Sequence, residues 1–212
     1  MNSIQFKDLG QINYDLSVKL QLEERQKVKD EQSCGTIFFL EHNPPVITLG
    51  RNALSSNMLF PRKLLENKGY HVRDVSRGGD ITVHEPGQLV IYFVIPLKAK
   101  AVRNFVDSVV NVLLSCIKED FSLDAEFDDQ KPGLWIKGKK LCSVGFDLTQ
   151  KVSMHGIALN VCNTLEGFSL IVPCGLSGVK MTTMKLELNE DVTIEQVKQK
   201  LLDRYKSSFN FF

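Results

Sequence analysis

The chain has 212 residues, of which 43% are hydrophobic and 24% are charged, as in an ordinary globular protein with a useful core. Its formal net charge of +1 gives no global field that would favour nucleic acid or a membrane surface as a partner. No apolar stretch is long enough to span a bilayer, and the first residues lack the basic-then-apolar pattern of a secretory signal. We therefore expect one domain over residues 1–212, acting as a monomer.

The five cysteines include no CxxC pair, and the four histidines do not flank them at zinc-site spacing. An odd number of cysteines in a chain without a secretory signal is typical of reduced thiols. We therefore expect no metal site and a cytoplasmic location.

Hydrophobic periodicity predicts the elements. Residues 11–29 alternate like a strand at first, but their many helix formers favour a helix. The predicted elements of the first half are, in chain order, a helix over 11–29, strands over 36–40 and 46–49 around a turn at 43–45, a short helix beginning near Pro61, and a strand over 89–95.

The second half is predicted to begin with an amphipathic helix. Thr193 and Gln196 have capping-box spacing, which starts the last helix. The predicted elements are a helix over 101–119, strands over 133–137, 140–147 and 153–161, and a helix over 194–206. Because neighbouring strands are joined by short links as well as by helices, we expect a mixed sheet flanked by helices.

The glycine-rich run over residues 77–88 is the most informative stretch. It begins Arg77-Gly78-Gly79, and we interpret it as a loop that lets a ligand approach the following strand closely. The chain contains neither a dinucleotide-binding nor a P-loop pattern. A standard nucleotide site is therefore disfavoured, and the loop is expected to accept an uncharged chain or, as an alternative, an adenylate.

Cys174 is the candidate nucleophile, because Pro173 and Gly175 place it in a turn where a thiol can face a pocket. A nearby cation lowers the pKa of a thiol, and the candidates are Lys137, Lys139 and Lys140. Since Lys139 and Lys140 are adjacent in a predicted strand, they should face opposite sides, one toward a pocket and one toward water. The N–H groups of Cys174 and Gly175 are candidate oxyanion donors.

Two histidines are further candidates. His84 ends the glycine-rich run, and His155 precedes Gly156, whose place in a strand marks close approach of a ligand or of another backbone. Either histidine could pair with Cys174 as a dyad, or both could be hydrogen-bonded structural residues. The sequence leaves these alternatives open.

Several blocks together resemble the lipoyl(octanoyl) transferase family, in the family's order and across residues 8–185. They are LEHNPPVITLGR at 40–51, RGGDITVH at 77–84, GQL at 87–89, KLCSVG at 140–145, HGIALNV at 155–161 and IVPCGL at 171–176. The resemblance implies an α/β (α+β) fold like the biotin and lipoate protein ligases, with a mixed β-sheet flanked by helices and a smaller second sheet.

The resemblance also implies an activity. An octanoyl or lipoyl group would pass from acyl carrier protein, through a thioester on Cys174, to a lysine of lipoyl domains, without a cofactor. The implied acceptors are the lipoyl domains of 2-oxoacid dehydrogenase complexes and the glycine cleavage H protein. Lys140 matches the activating lysine. The implied acyl-binding residues are Arg77, Gly78, Gly79, Asp80, Ile81, Thr82, Val83 and His84, then Ser143, Val144 and Gly145, then Gly156, Ile157 and Ala158.

Two positions depart from the family pattern. Glu85 stands where glycine is common and is expected at the lip of the pocket, while Cys142 adds a second thiol near the proposed site. Lysines and an arginine could steer acidic partners, although an ordinary solvated surface is the interpretation we favour; they are Lys98, Lys100 and Arg103, or Lys137 and Lys139. The alternative functions are an ATP-dependent lipoate or biotin ligase, and a module that only binds acyl chains.

Overall fold

The computed structural model describes residues 3–97, 102–175 and 178–209, without the side chain of Cys174. The strands of this part are β1 (Gln5–Ile12), β2 (Thr36–His42), β3 (Val46–Leu49), β4 (His71–Asp74), β5 (Ile81–His84), β6 (Gln88–Val94), β7 (Glu126–Asp128), β8 (Gly133–Ile136), β9 (Lys139–Asp147), β10 (Met154–Asn160) and β11 (Lys180–Met181). The α-helices are α1 (Tyr14–Lys29), α2 (Arg62–Asn67), α3 (Val102–Ser115), α4 (Met184–Leu188) and α5 (Ile194–Phe209).

The larger sheet has the strand order β1-β2-β6-β10-β9-β8-β7, and β11 pairs with β9. The pairs β1–β2 and β9–β11 are parallel, whereas β2, β6, β10, β9, β8 and β7 pair antiparallel in that order. The predicted mixed sheet is therefore confirmed. The predicted smaller sheet is also present, with the order β4-β3-β5.

Alternation along the central strands divides the core into two layers. Leu89, Ile91 and Phe93 of β6 pack in one cluster with α3 and α5, while Val90 and Tyr92 belong to the cluster on the opposite face, with Val28 of α1. A third cluster fills the small sheet under α2. Each large apolar side chain buried in this way contributes about 1.5–3 kcal/mol relative to exposure.

Local signals explain the helix ends. Asn13 caps α1, since its side chain accepts a hydrogen bond from the Asp15 N–H (2.8 Å). The predicted capping box precedes α5, where Gln196 Oε1 accepts from the Thr193 N–H (2.8 Å) and Thr193 Oγ1 accepts from the Gln196 N–H (3.3 Å). The helix predicted near Pro61 is α2, for which Pro61 is the N-cap.

Several boundaries differ from the prediction. The helix predicted over 11–29 begins only at Tyr14, because Gln11 and Ile12 belong to β1. Residues 81–84, which we interpreted as loop, form β5. The strands β1, β4, β7 and β11 and the short helix α4 were not predicted. The other predicted strands and helices are confirmed within a few residues, although residue 101 lies outside the described part.

In the part of the chain that the structure describes, no helix combines the length and the hydropathy that crossing a bilayer requires.

Candidate active site

A cavity of about 540 Å³ lies between the two sheets; we call it the inter-sheet cavity. Its lining combines the start of the glycine-rich run with strands β9 and β10. The predicted residues in the lining are Arg77, Gly78, Gly79, Asp80, Ile81, Thr82, His84, Lys140, Ser143, Val144, Gly145, Gly156, Ile157 and Ala158. Residues that contribute but were not predicted include Tyr14, Asn52, Tyr92, Gln130, Lys131, Pro132 and Phe146.

Val83 is the exception among the predicted acyl-binding residues. Its side chain is 0% exposed and lies in the core of the small sheet, where β5 pairs with β3 at Ile47. Successive side chains of a strand point to opposite faces. Val83 faces the core of the small sheet, whereas Thr82 and His84 line the cavity.

Backbone hydrogen bonds hold the double-glycine loop between the sheets. On the small-sheet side, the Gly50 N–H donates to Asp80 O (3.0 Å) and the Asn52 N–H donates to Gly79 O (3.1 Å). On the other side, the Gly78 N–H donates to Phe146 O of β9 (2.9 Å). The loop is therefore a fixed wall of the cavity.

The Arg77 side chain supports this wall. Its guanidinium is buried and donates to Thr48 O (2.7 Å), to Thr48 Oγ1 (2.8 Å) and to Gly78 O (3.0 Å). These contacts tie the loop to β3 of the small sheet.

Gly156 resolves one alternative that the sequence left open. A Cβ at this position would overlap Ile91 O and lie 2.9 Å from the Phe93 ring. The glycine is therefore required by the close approach of the β6 backbone.

Lys140 lines the cavity and is 1% exposed. Its Nζ is 3.5 Å from Lys131 O and 5.3 Å from the centre of the Trp135 ring. Gly133 makes room for it, since a Cβ there would lie 2.6 Å from Lys140 Cε. The side chain of Lys139 is 41% exposed and its Nζ pairs with Glu187 Oε1 (2.5 Å), so the predicted opposite orientation of the two lysines is confirmed.

Cys142 does not add a thiol to the cavity. The β8–β9 register skips Leu141, with Trp135 opposite Lys140 and Leu134 opposite Cys142. This irregularity breaks the alternation, so that Cys142 is 0% exposed within the main core while Lys140 and Ser143 line the cavity. Burial raises the pKa of the Cys142 thiol to about 12, which keeps it protonated and unreactive.

The turn that carries Cys174 packs against β5 and the double-glycine loop. The Val172 N–H donates to Asn57 O (2.7 Å), and Asn57 Nδ2 donates to Asp80 Oδ2 (2.5 Å). Gly175 has φ +68°, and a Cβ there would overlap the Asp80 carboxylate. These contacts bring the backbone of the turn to Asp80, a residue of the cavity lining.

One predicted oxyanion donor is unsuitable. The Gly175 N–H already donates to Val172 O (3.0 Å) within the turn. The Gly175 amide is therefore a structural donor, contrary to our expectation from the sequence.

Both candidate histidines line the cavity. His84 Nδ1 lies 2.8 Å from Gln88 Oε1, and burial lowers the His84 pKa well below its usual range. Burial likewise lowers the His155 pKa to about 4. Because a neutral imidazole with so low a pKa is a weak base, neither histidine suits a strong general base near neutral pH.

His155 has an unusual backbone. Its φ is +60°, and its N–H donates to the side chain of Gln21 on α1 (2.8 Å). Non-glycine residues in this region cost about 1–3 kcal/mol and cluster at functional sites. Sequence patterns gave no signal for this contact, since Gln21 lies 134 residues away along the chain.

Glu85 is 4% exposed and lies outside the cavity lining, so our expectation of a pocket-lip residue is wrong. Its Oε1 accepts from Asn163 Nδ2 (2.9 Å) and from the Leu165 N–H (2.8 Å), while Oε2 accepts from the Gly167 N–H (3.2 Å). Glu85 therefore anchors the segment that leads to the Cys174 turn.

Among the described residues, no group of three or more His, Cys, Asp or Glu side chains is arranged to hold a metal ion. Of the suggested steering residues, Lys98 and Lys100 lie outside the described part.

Comparison with known families identifies the chain. A family model described as the lipoyl protein ligase A/B catalytic domain matches residues 13–206. The chain belongs to this family. Curated relatives named octanoyltransferase match at nearly full length. That of Alkaliphilus metalliredigens is 32% identical, over 96% of this chain and 94% of its own, and that of Nitratidesulfovibrio vulgaris is 37% identical, over 95% and 93%.

Solved structures of lipoate and biotin protein ligases share the fold of this lipoyl protein ligase A/B family member. A bipartite lipoate protein ligase from Thermoplasma acidophilum has a TM-score of 0.78 at 13% identity, over 99% of this chain and 85% of its own. A lipoate-protein ligase A bound with ATP has a TM-score of 0.75 at 12% identity, over 99% and 85%. At such low identity the likeness establishes the fold, and the predicted ligase-like architecture is confirmed.

Proposed function

We propose that this chain is an octanoyltransferase, acting as one catalytic domain that moves an octanoyl group from acyl carrier protein to a lysine of a lipoyl domain. The observation that carries the proposal is that the buried Lys140 and Asp80 line the same inter-sheet cavity, and that the Cys174 turn contacts Asp80. Relatives at 32–37% identity carry the same activity in their names. The expected reduced thiol fits the cytoplasmic location that we predict.

The inter-sheet cavity suits an acyl chain. Val144, Ile157 and Ala158 provide apolar walls. Gly145 lies close to the double-glycine loop, since a Cβ at position 145 would lie 3.3 Å from Gly78 O. This close approach keeps the cavity narrow. Burying an alkyl chain contributes about 0.8 kcal/mol per CH₂. The six methylenes of an octanoyl group therefore supply about 5 kcal/mol of binding free energy by the same measure.

In the first half-reaction, the Lys140 ammonium stabilises the Cys174 thiolate. The thiolate attacks the carbonyl carbon of octanoyl-acyl carrier protein, forming a new C–S bond as the old one breaks. The departing carrier thiolate takes a proton from Lys140, which becomes a neutral amine. The products are the carrier thiol and an octanoyl thioester on Cys174.

In the second half-reaction, the neutral amine of a target lysine attacks this thioester. Lys140 takes the proton that the nitrogen loses, and Cys174 leaves as a thiolate. The amide product carries the octanoyl group, and the thiolate–ammonium pair is restored without ATP.

The decisive experiment is intact-mass analysis after incubation with octanoyl-acyl carrier protein, without ATP. We expect one octanoyl group on the peptide that contains Cys174, and its loss on addition of a lipoyl domain. Cys174→Ser should abolish labelling, whereas Cys162→Ser, at an exposed thiol outside the cavity, should retain it.

Other outcomes would assign another function. Octanoylation of the lipoyl domain by the Cys174→Ser variant would eliminate the covalent route. ATP–pyrophosphate exchange with free octanoate would indicate a ligase, and octanoate binding without transfer would indicate a binding module.

A further inference from the structure

A second cavity, of about 620 Å³, adjoins the Cys174 turn and shares no lining residue with the inter-sheet cavity. Val172 and Pro173 form part of its wall, while Gly175, at the other end of the same turn, abuts Asp80 of the inter-sheet cavity. Lys139 lines the second cavity and Lys140 lines the first. The nucleophile's turn and the start of β9 therefore lie between two separate cavities.

Two cavities at one nucleophile match the shape of a thioester substrate. The carbonyl carbon joins the acyl chain on one side and the sulfur of its carrier on the other. If the acyl chain occupies the inter-sheet cavity, the carrier's arm must leave in a different direction. In acyl carrier protein this arm is phosphopantetheine, which combines apolar groups and amides with a phosphodiester.

We propose that the second cavity holds the phosphopantetheine arm of the acyl donor, with Lys180 near its phosphate. This inference rests on the proposed octanoyltransferase function. The apolar wall, which includes Phe168, Ile171 and Val179, suits the pantetheine part, and the lysines of the lining suit the phosphate.

The charge balance at the rim favours an anion. Lys139 and exposed Lys180 both line the cavity. The neighbouring acid is Glu187. Burial raises the pKa of its carboxyl group, but hydrogen bonds from Lys139 and Thr182 and the charges of Lys139 and Lys137 lower the pKa, and the net result is a pKa below the usual value. The charged residues of the lining are Lys139 and Lys180. Because Lys139 pairs with Glu187, the charge of Lys180 is left to attract an anion.

The same balance disfavours the acceptor as occupant. The lipoyl domain presents a lysine side chain, and a cation entering past Lys139 and Lys180 meets repulsion. The second cavity is therefore assigned to the donor half-reaction.

The test compares two donors that differ only in the phosphate, octanoyl-pantetheine and octanoyl-4′-phosphopantetheine. The rate of octanoyl-enzyme formation is followed by intact mass against donor concentration, in the full chain. For Lys180→Glu we expect the half-saturating concentration of the phosphorylated donor to rise about ten-fold, since charge reversal turns attraction into repulsion. The value for octanoyl-pantetheine should not change. Lys27→Glu, an exposed position on α1, is the matched control and should leave both values unchanged.

A second variant tests the apolar part. Val179→Trp should fill the second cavity and slow labelling by both donors, whereas the shorter octanoyl-N-acetylcysteamine should still react. If Lys180→Glu affects both donors equally or neither, the inference is overturned. It is also overturned if the variant slows only the transfer to a lipoyl domain. If octanoyl-acyl carrier protein labels Cys174 in the unmodified chain but neither small donor does, this inference alone is overturned. If octanoyl-acyl carrier protein also fails to label Cys174, the proposed function fails and takes this inference with it.

Discussion

Replacing Lys140 by methionine separates its electrostatic role from its packing. Met keeps most of the apolar side chain and removes the ammonium. Lys140 is buried beside Trp135, and exchanging a buried charge for an apolar group of similar volume is often neutral or stabilising. We therefore expect the free energy of unfolding to stay within about 1 kcal/mol of its original value.

The reactivity of Cys174 should change far more. A cation within about 4–6 Å lowers the pKa of an acidic group by about 1–3 units. If Lys140 activates Cys174 as proposed, removing the ammonium should return the pKa of the thiol toward the ordinary value of about 8.5. The thiolate fraction at pH 7 then falls by about 8-fold for a shift of one unit and about 30-fold for three units, and the rate of acyl-enzyme formation should fall with it.

The assay is the alkylation rate of Cys174 by iodoacetamide between pH 5 and pH 10. The background carries Cys34→Ser and Cys162→Ser, because the remaining thiols, Cys116 and Cys142, are buried with pKa values raised by burial to about 12. Lys118→Met, at a partly exposed lysine, is the control. A folded Lys140→Met variant whose alkylation profile matches that of the parent would refute the proposed activation.

Three further predictions concern stability and chain length. Burial lowers the pKa values of His42 and His155 to about 4, so between pH 6.5 and pH 4 the unfolded chain takes up protons on these histidines more readily than the folded chain does. The free energy of unfolding should therefore fall by about 2 kcal/mol per histidine from pH 6.5 to pH 5 and level off below pH 4. Urea unfolding across this pH range measures the change. Glu85→Ala leaves buried N–H groups without an acceptor and should lower the free energy of unfolding by about 2–4 kcal/mol, whereas an unchanged urea midpoint would exclude the anchoring role. Ala158→Leu narrows the inter-sheet cavity. If the larger side chain excludes two methylenes of the octanoyl chain, the binding free energy falls by about 1.6 kcal/mol, so octanoyl transfer should fall more than ten-fold while butyryl transfer persists. Competition between the octanoyl and butyryl donors measures this difference.

Periodicity predicted the elements whose apolar faces are long. The helix α3 and the strands β6, β9 and β10 carry such faces, because each buries residues against a continuous core. The strand β1 lies at an edge and is largely exposed, and β7 has only three residues. Neither strand has a hydrophobic alternation that distinguishes it from a polar loop, so pairing with the neighbouring strand determines its conformation.

The same limit applies to the site. The opposite directions of Lys139 and Lys140 follow from a period of two, which the sequence contains. The burial of Cys142 in the main core does not follow from that period, because the register irregularity at Leu141 depends on how β9 pairs with β8. A one-residue change of register reverses the facing of every later side chain, and the partner strand cannot be read from β9 alone.

The candidate site depends on both sheets at once. Lys140 belongs to the large sheet, whereas Asp80 and Asn57, which contact the Cys174 turn, belong to the small sheet and its loops. The chain that follows the turn is also held by the large sheet, because β11 pairs with β9 at Lys139 and Lys140. The proposed pairing of the Cys174 thiol with the Lys140 ammonium therefore requires the two sheets to pack against each other. On that proposal, a substitution that weakens the packing of the sheets should also lower the reactivity of the thiol, even where the residue never touches the substrate.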